Sequence, residues 1–319
     1  MAFDAAVNVG GSFTHSDTTQ DFSVNSGSSL TISDTANSFI TANNLEVRSG
    51  AVDVNFATAA DGLTIVGTGA TLNTIGNLDV TGGETDLQFD AAVNVGGSFT
   101  HSDTTQDFSV NSGSRLLVRG HVDIESNAFE VGGRIEFRGD VSTAFNAIFF
   151  GDATIAPGIG VGSINLDTEN IATEDHAVEI RSGATYEWEL GASENDVINV
   201  DGDLILRDFW TLDLLVLADA LTGIDASDRF NLFTYTGQAS AFTESSGQLT
   251  RVTIDDSLLD ANRLDATGVG IFDDGNGTIF LTGLISVAVP EPSAVAILSL
   301  AFVCLSTRRK RAKHAANQR

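Results

Sequence analysis

Residue types that commonly carry chemistry are scarce in this chain of 319 residues. There is one cysteine, Cys304, which excludes an internal disulfide and a zinc site built from paired cysteines. The two lysines are Lys310 and Lys313, which excludes a phosphate-binding loop of the Gly-Lys-Ser/Thr type earlier in the chain. The five histidines form no His-Glu-x-x-His pattern, and Gly-x-Ser-x-Gly is absent as well. The sequence therefore offers no candidate for nucleophilic or zinc-dependent catalysis.

Positive charge is also scarce before residue 308. That part of the chain has ten arginines, no lysine and all 43 acidic residues, which gives a formal charge of −33. The last twelve residues add six positive charges. A body this acidic repels phosphate backbones, so we expect no nucleic-acid partner. High negative charge also keeps an exposed protein soluble and can attract divalent cations.

The chain contains an internal repeat. Residues 3–28 recur without change at 89–114, an offset of 86 residues. Inside this unit an apolar-polar-apolar pattern recurs at short intervals, starting at Phe22, Leu45, Leu63, Leu78 and Val93. Alternation with period two predicts strands, and the Gly, Asn, Asp and Ser clusters between them predict turns. Tandem units of nearly equal length favour a solenoid over a sandwich or a barrel. We predict an all-β fold, a parallel β-helix with about 15 to 23 residues per rung.

The last thirty residues have three successive parts. Val289, Pro290, Glu291 and Pro292 form an extended stretch that contains two of the three prolines of the chain. An apolar run follows, and we predict one short transmembrane helix at residues 294–307. At about 1.5 Å per residue the run covers only roughly 20 Å, which makes it a marginal membrane anchor. The tail then ends in a basic stop that begins with Arg308, Arg309, Lys310 and Arg311.

These three parts resemble the PEP-CTERM sorting signal of Gram-negative bacteria. The positive-inside rule keeps the basic stop in the cytoplasm and places the body of the chain across the membrane. The resemblance implies export, recognition by an exosortase-type transpeptidase, transient anchoring in the inner membrane and cleavage near residues 290–292. It also implies a final location at the cell surface or outside the cell, in association with polysaccharide or biofilm.

A second resemblance concerns residues 153–204. Ala156-Pro157-Gly158, followed by Ser163-Ile-Asn-Leu166, is similar to a glycine-rich segment in the passenger stalks of autotransporters. Residues 184–204 are similar to the last rungs of such a stalk. This resemblance implies a β-helical stalk before the sorting tail.

We divide the chain into a repetitive β-solenoid at 1–152, final rungs with a β-rich cap at 153–286, and the sorting tail at 287–319. The segment from Asp273 to Gly277, Asp-Asp-Gly-Asn-Gly, predicts a β-hairpin in the cap. A solenoid needs a cap over the open end of its apolar column. We therefore expect Trp188 and Trp210 to lie in the core of the cap rather than to stack on a ligand.

The beginning of the chain does not fit the tail. A sorting tail requires a signal peptide, yet residues 1–12 have neither a basic nor an apolar region. Because the chain starts inside a repeat, we expect the true start to lie upstream.

Paired carboxylates are the remaining catalytic candidates, because a β-helix can carry a polysaccharide lyase or a glycosidase. Glu187 and Glu189 alternate along one predicted strand, and Asp201 and Asp203 flank a glycine. Two carboxylates about 5 to 9 Å apart can serve glycoside hydrolysis. With 43 acidic residues such pairs arise by chance, so we favour a solvated face.

Calcium is the small ligand with the most support in the sequence. Asp201, Asp203, Asp273 and Asp274 offer oxygen ligands in tight turns, which suits a hard cation. Turns favour the same residues for conformational reasons. We therefore expect no cofactor and keep calcium as the alternative.

The sequence as a whole predicts a non-enzymatic exported protein of the cell surface or extracellular matrix. Two alternatives remain open, a polysaccharide-active β-helix enzyme and an adhesin that binds a partner through the acidic face of the solenoid.

Overall fold

The computed structural model of the chain describes residues 1–9, 13–17, 20, 22–25, 28–32, 39–48, 51–54, 58–66, 70–74, 76–80, 85–88, 90–103, 105, 107–138, 141–158, 162–167, 177–191, 194–216, 223–241, 243–244, 246–257 and 264–286. These residues form strands joined by turns, and no helix occurs among them. Nearly all neighbouring strands pair in parallel. The predicted all-β fold with a parallel β-solenoid is confirmed.

The strands of the repetitive part are β1 (Ala2–Phe3), β2 (Ala6–Val9), β3 (Thr14–Asp17), β4 (Phe22–Val24), β5 (Ser29–Ile32), β6 (Phe39–Arg48), β7 (Ala51–Val54), β8 (Thr58–Val66), β9 (Thr71–Thr74), β10 (Leu78–Val80), β11 (Thr85–Gln88), β12 (Ala92–Val95), β13 (Phe99–Asp103), β14 (Phe108–Val110), β15 (Arg115–Val118), β16 (Val122–Val131), β17 (Arg134–Phe137) and β18 (Val141–Phe150). The strands that follow are β19 (Thr154–Ala156), β20 (Ser163–Asp167), β21 (Ala177–Ile180), β22 (Thr185–Leu190), β23 (Val197–Asp201), β24 (Asp203–Leu206), β25 (Trp210–Val216), β26 (Phe230–Tyr235), β27 (Ala239–Ser240), β28 (Val252–Asp255), β29 (Leu264–Asp265), β30 (Gly270–Asp273), β31 (Thr278–Thr282) and β32 (Ile285–Ser286).

A rung consists of three short strands. The rung formed by β12, β13 and β14 is an example, and β15 begins the next one. The first strand of each rung lies in a sheet of eleven described strands, and the other two lie in two separate columns of a sheet of nineteen. Strands β6, β8, β16 and β18 run through the bend between these two columns. For example, β16 pairs with β13 near its start and with β14 near its end.

Successive rungs of the repetitive part have similar lengths. The stacked positions in the eleven-stranded sheet are Ala6, Ser29, Ala51, Thr71, Ala92, Arg115 and Arg134. Ala6 and Ala92 are the same position in the two copies of the repeat, so four rungs make up one copy.

The shortest intervals between successive apolar-polar-apolar segments are not the length of a rung, so this part of the predicted range is wrong. These intervals lead from one column of strands to another. Leu78, for instance, lies in the nineteen-stranded sheet and Val93 in the eleven-stranded sheet. Asn73 and Asn94, which do stack in neighbouring rungs, are 21 residues apart.

The apolar column is built by the alternating residues of every strand. In β12, Val93 and Val95 are fully buried, while Asn94 between them faces outward. Phe99, Phe108 and Phe129 form an edge-to-face ladder with ring centroids 5.7 and 5.0 Å apart. Full burial of one such side chain contributes about 1.5 to 3 kcal/mol. Because each rung buries its apolar side against the next, the stack stabilises itself collectively.

The end of the solenoid is closed by antiparallel strands. β30 and β31 form the predicted hairpin, which is confirmed, and β31 also pairs antiparallel with β26. Trp188 and Trp210 are buried, and their rings contact Phe230 and Phe233 at 5.9 and 6.0 Å. Both tryptophans are therefore core residues, as predicted, but they lie on the parallel strands β22 and β25 of the last rungs rather than in the antiparallel cap.

The sorting tail lies outside the described residues. This applies to the motif at 289–292, the predicted transmembrane helix at 294–307 and the basic stop at 308–311. Within the described ranges, no helix has the length and apolar character needed to cross a membrane.

Candidate functional site

The aspartates predicted as calcium ligands in the solenoid bind neighbouring backbone and side chains. Asp201 and Asp203 lie on either side of Gly202, at the junction of β23 and β24. Oδ1 of Asp201 accepts a hydrogen bond from Oγ1 of Thr236 at 2.6 Å. Oδ1 of Asp203 accepts one from the amide of Gln238, also at 2.6 Å. The two carboxylates therefore join one rung to the next.

The other predicted pair forms the hairpin turn. Oδ1 of Asp273 accepts hydrogen bonds from the amide of Gly275 at 2.8 Å and from the hydroxyl of Tyr235 at 2.7 Å. Oδ1 of Asp274 accepts one from the amide of Asn276 at 2.7 Å. Turn formation accounts for both residues. Across the part of the chain that the structure describes, no three side chains of His, Cys, Asp or Glu come together as a metal site.

The carboxylates of Glu187 and Glu189 have separate surroundings, although both lie on the outward side of β22. Glu187 accepts two hydrogen bonds from the guanidinium of Arg134, at 2.5 and 2.7 Å. Glu189 lies beside Asp196, and the backbone amide of Glu189 donates a hydrogen bond to the carboxylate of Asp196. Glu187 is therefore part of an ion pair that connects β17 to β22.

A polar groove lies on the outward side of β20, β23 and β26. Its cavity has a volume of about 430 Å³. The residues lining it are Val141, Asn165, Leu166, Asp167, Asn199, Val200, Asp201, Thr234 and Thr236. Val141, at the start of β18, forms its one apolar wall outside the three strands. We call this feature the polar groove.

Two rows of polar side chains run across the strands of the polar groove. In the first row, Nδ2 of Asn199 donates to Oδ1 of Asn165 at 2.8 Å, and Oγ1 of Thr234 donates to Oδ1 of Asn199 at 2.7 Å. In the second row, Asp167 pairs in register with Asp201, which accepts the hydrogen bond from Thr236. Neighbouring strands lie about 4.8 Å apart, so each row presents polar groups at that interval.

A buried carboxyl group directly precedes β23, the middle strand of the polar groove. Asp196 has no exposed surface, and it accepts hydrogen bonds from the amides of Gly162 at 2.6 Å and Glu189 at 2.9 Å. Burial raises the pKa of Asp196 to about 7, although these two hydrogen bonds oppose the rise. Sequence reasoning missed this residue, because an aspartate before a strand is indistinguishable from a turn residue.

An arginine cluster occupies the eleven-stranded sheet at β15 and β17. Glu136, whose side chain is 6% exposed, accepts hydrogen bonds from Arg115 at 2.8 Å and from Arg138 at 2.8 and 3.0 Å. Burial favours the protonated form of Glu136, but the hydrogen bonds from Arg138 and Arg115 lower its pKa below the ordinary value. The sequence held a signal for this cluster, since Arg115 stands where the earlier copy of the repeat has Ser29.

Comparison with known proteins adds no assignment. No family model matches the chain, and no curated protein matches its sequence. The polar groove combines amide, hydroxyl and carboxylate groups in register along the axis of the solenoid.

Proposed function

We propose that this chain is a non-enzymatic, exported protein of the cell surface or extracellular matrix that holds polysaccharide in its polar groove. The observation that carries the proposal is the pair of polar rows across β20, β23 and β26. Both rows repeat at about 4.8 Å, a distance comparable to the length of one sugar ring. An extended glycan lying along the axis of the solenoid would meet equivalent groups at each step.

The chemistry of the polar groove favours a neutral, hydroxyl-rich glycan. Asp167 and Asp201 make its lining negative, and the body around it is strongly acidic. Carboxylates accept charge-assisted hydrogen bonds from sugar hydroxyls, whereas they repel uronic acids. Asn199 and Thr234 add further polar groups to the same surface.

A binding role fits the polar groove better than a hydrolytic one. The carboxyl group with the most strongly raised pKa in this region, Asp196, is fully buried and cannot reach a substrate. Glu187 is engaged by Arg134. A general acid must be within hydrogen-bond reach of the glycosidic oxygen.

Export rests on the C-terminal tail. The stretch at 289–292, the apolar run and the basic stop support delivery to an exosortase-type transpeptidase and release from the inner membrane. The intact mass of the protein recovered from culture supernatant and envelope tests this. We expect loss of the residues that follow the Pro-Glu-Pro motif, and a full-length protein in the cytosol would contradict export.

Glycan binding is tested by affinity electrophoresis in gels that contain a neutral or an acidic polysaccharide. We expect neutral glycan to retard the wild type, and Asn199→Ala to weaken binding roughly tenfold, about 1.4 kcal/mol. The matched control is Asn94→Ala, because Asn94 makes the same kind of hydrogen bond to Asn73, at 2.6 Å, outside the polar groove. Equal retardation of both variants would contradict the assignment, and release of reducing ends would favour the enzyme.

A further inference from the structure

The carboxyl group of Asp196 connects strands that are remote in sequence. Asp196 directly precedes β23, and Gly162, whose amide it binds at 2.6 Å, directly precedes β20. Its other oxygen accepts the amide of Glu189 in β22 at 2.9 Å. One side chain thus links the starts of two strands of the polar groove, β20 and β23, to β22, the first strand of the rung that contains β23.

The backbone and neighbour of Asp196 extend this connection to the third strand. Its carbonyl oxygen accepts hydrogen bonds from Nε1 of Trp188 and Nδ2 of Asn195, both at 2.8 Å. The same amide of Asn195 donates to the carbonyl of Asn231 in β26 at 2.6 Å. All three strands of the polar groove therefore meet at Asp196 and the residue before it.

We propose that Asp196 is a positioning residue that holds the three strands of the polar groove in register and makes binding there dependent on pH. The proposal rests on the function proposed above and adds its regulation. A shift of one strand would separate Asn165 from Asn199 and break the polar rows, because both are formed by residues in register.

The surroundings of Asp196 explain why protonation matters. The titratable groups facing it are Glu189 and Tyr186, both on β22, while its contacts near β20 and β26 are uncharged backbone. Burial is the largest influence and favours the neutral carboxyl, and the charge of Glu189 acts in the same direction. The buried hydroxyl of Tyr186 has no hydrogen-bond partner among the described residues and gives the carboxylate no support.

The sign of the pH effect follows from these influences. The pKa of Asp196 is about 7 in the folded protein and about 3.8 when the carboxyl is exposed. The folded protein therefore binds this proton more tightly than the unfolded chain does. The stability that the protonated Asp196 contributes to the fold is fully present at low pH. It is lost as pH rises toward 7, above which the carboxylate is buried in its charged form. The connection is thus tight in acid and looser at neutral and higher pH.

Amide hydrogen exchange of the full-length protein tests the proposal without any ligand. After correction for the intrinsic rate, opening at Gly162 and Glu189 should become roughly tenfold easier per pH unit between about pH 4 and 7, then level off. Asp196→Asn should remove this dependence. The control is Asp203→Asn, because exposed Asp203 also accepts an amide of the next rung. That variant should leave exchange at Gly162 unchanged.

A second variant covers the case in which Asp196→Asn does not fold. Glu189→Gln removes the neighbouring charge and should shift the same transition to lower pH. Opening at Gly162 that is independent of pH in the wild type would overturn the proposal. A transition that is identical in wild type and Glu189→Gln would do the same.

Binding measurements separate this proposal from the proposed function. We expect neutral glycan to bind the wild type more weakly at pH 8 than at pH 5, and Asp196→Asn to bind equally at both. If exchange behaves as expected but no glycan binds at either pH, the glycan function fails and the positioning role of Asp196 stands. If glycan binds through Asn199 with no pH dependence in binding or exchange, the positioning role fails.

Discussion

The amide of Gly120 donates a hydrogen bond to the carbonyl of Gly97 at 2.9 Å, and the two glycines stack at the same corner of neighbouring rungs. Gly97 in turn donates to the carbonyl of Gly76 at 3.1 Å. A β-carbon added to Gly120 would lie 2.6 Å from the carbonyl carbon and oxygen of Gly97. The glycine after β15 is therefore required by close backbone stacking, which side chains would prevent.

Gly120→Ala should destabilise the protein by about 2 to 3 kcal/mol, because the backbones of two rungs must separate and weaken their hydrogen bonds. Urea denaturation followed by circular dichroism measures the free energy of unfolding. The matched control is Gly151→Ala, at a corner where the added β-carbon would meet only Arg181 side-chain atoms, at 3.7 Å. That variant should be neutral or gain up to about 1 kcal/mol from a stiffer unfolded chain. Equal losses in both variants would contradict the stacking argument.

Phe209→Gly should stabilise the protein slightly. Phe209 is 64% exposed and has a φ of 61°, a left-handed conformation that glycine adopts without strain. Its backbone bonds to Gly183 and Arg251 do not involve the ring, so glycine can keep them. We expect a gain of about 0.5 to 1 kcal/mol in urea denaturation. Phe209→Ala removes the ring but keeps the strain, so a gain as large as that of glycine would show that strain is not the cause.

Glu136→Gln should weaken the junction of β15 and β17. The variant keeps the size of the side chain but leaves the guanidinium groups of Arg115 and Arg138 without their carboxylate. Because both arginines are partly exposed and can be hydrated, we expect a loss of about 1 to 2 kcal/mol.

The loss in Glu136→Gln should depend on pH. The folded pKa of Glu136 is lowered, so its stabilisation is complete above the unfolded pKa of 4.5 and disappears as pH falls through the folded pKa. Urea denaturation at pH 7 and pH 3 should therefore show a difference between wild type and variant that shrinks in acid. A difference that grows in acid would refute the ion-pair assignment.

Alternation in the sequence was sufficient to predict the strands, and the tandem units of nearly equal length predicted the solenoid. In β12 the polar Asn94 separates Val93 from Val95, and this pattern places both valines in the core. The turn of the hairpin was equally clear, since the segment from Asp273 to Gly277 contains the residues that tight turns require. Local patterns of this kind survive in the structure because they determine which side of a strand is buried.

The rung length could not be predicted from the same patterns. All three columns of strands share one apolar-polar-apolar signature, so nothing local distinguishes a step along a rung from a step between rungs. Only pairing distinguishes them, and pairing joins residues that are remote in sequence, such as Thr71 and Ala92. The long strands β6, β8, β16 and β18 add to the difficulty because they span two columns.

The polar groove and Asp196 depend on contacts that are still more remote. Asn165 and Asn199 are 34 residues apart, as are Gly162 and Asp196, and neither pair has a spacing that a motif would show. The aspartates of the predicted calcium sites were conspicuous in the sequence, yet hydrogen bonds within turns and between rungs account for them. Single residues in a solenoid gain their roles from the rung above or below.

Phe233→Ala and Phe108→Ala should affect tryptophan emission differently, because the two phenylalanines lie in different parts of the solenoid. Both phenylalanines are fully buried, and loss of either ring should cost about 3 to 5 kcal/mol. The ring of Phe233 contacts Trp210, with 6.0 Å between the ring centroids. Phe108 lies several rungs away from both tryptophans, and its ring contacts Phe99 and Phe129. Because rungs interact with their nearest neighbours, native tryptophan emission should shift to longer wavelength only in Phe233→Ala. Circular dichroism should report a loss of stability in both variants. An equal shift of emission in Phe108→Ala would mean that a cavity in one rung rearranges distant rungs, and stability would then not be additive along the stack.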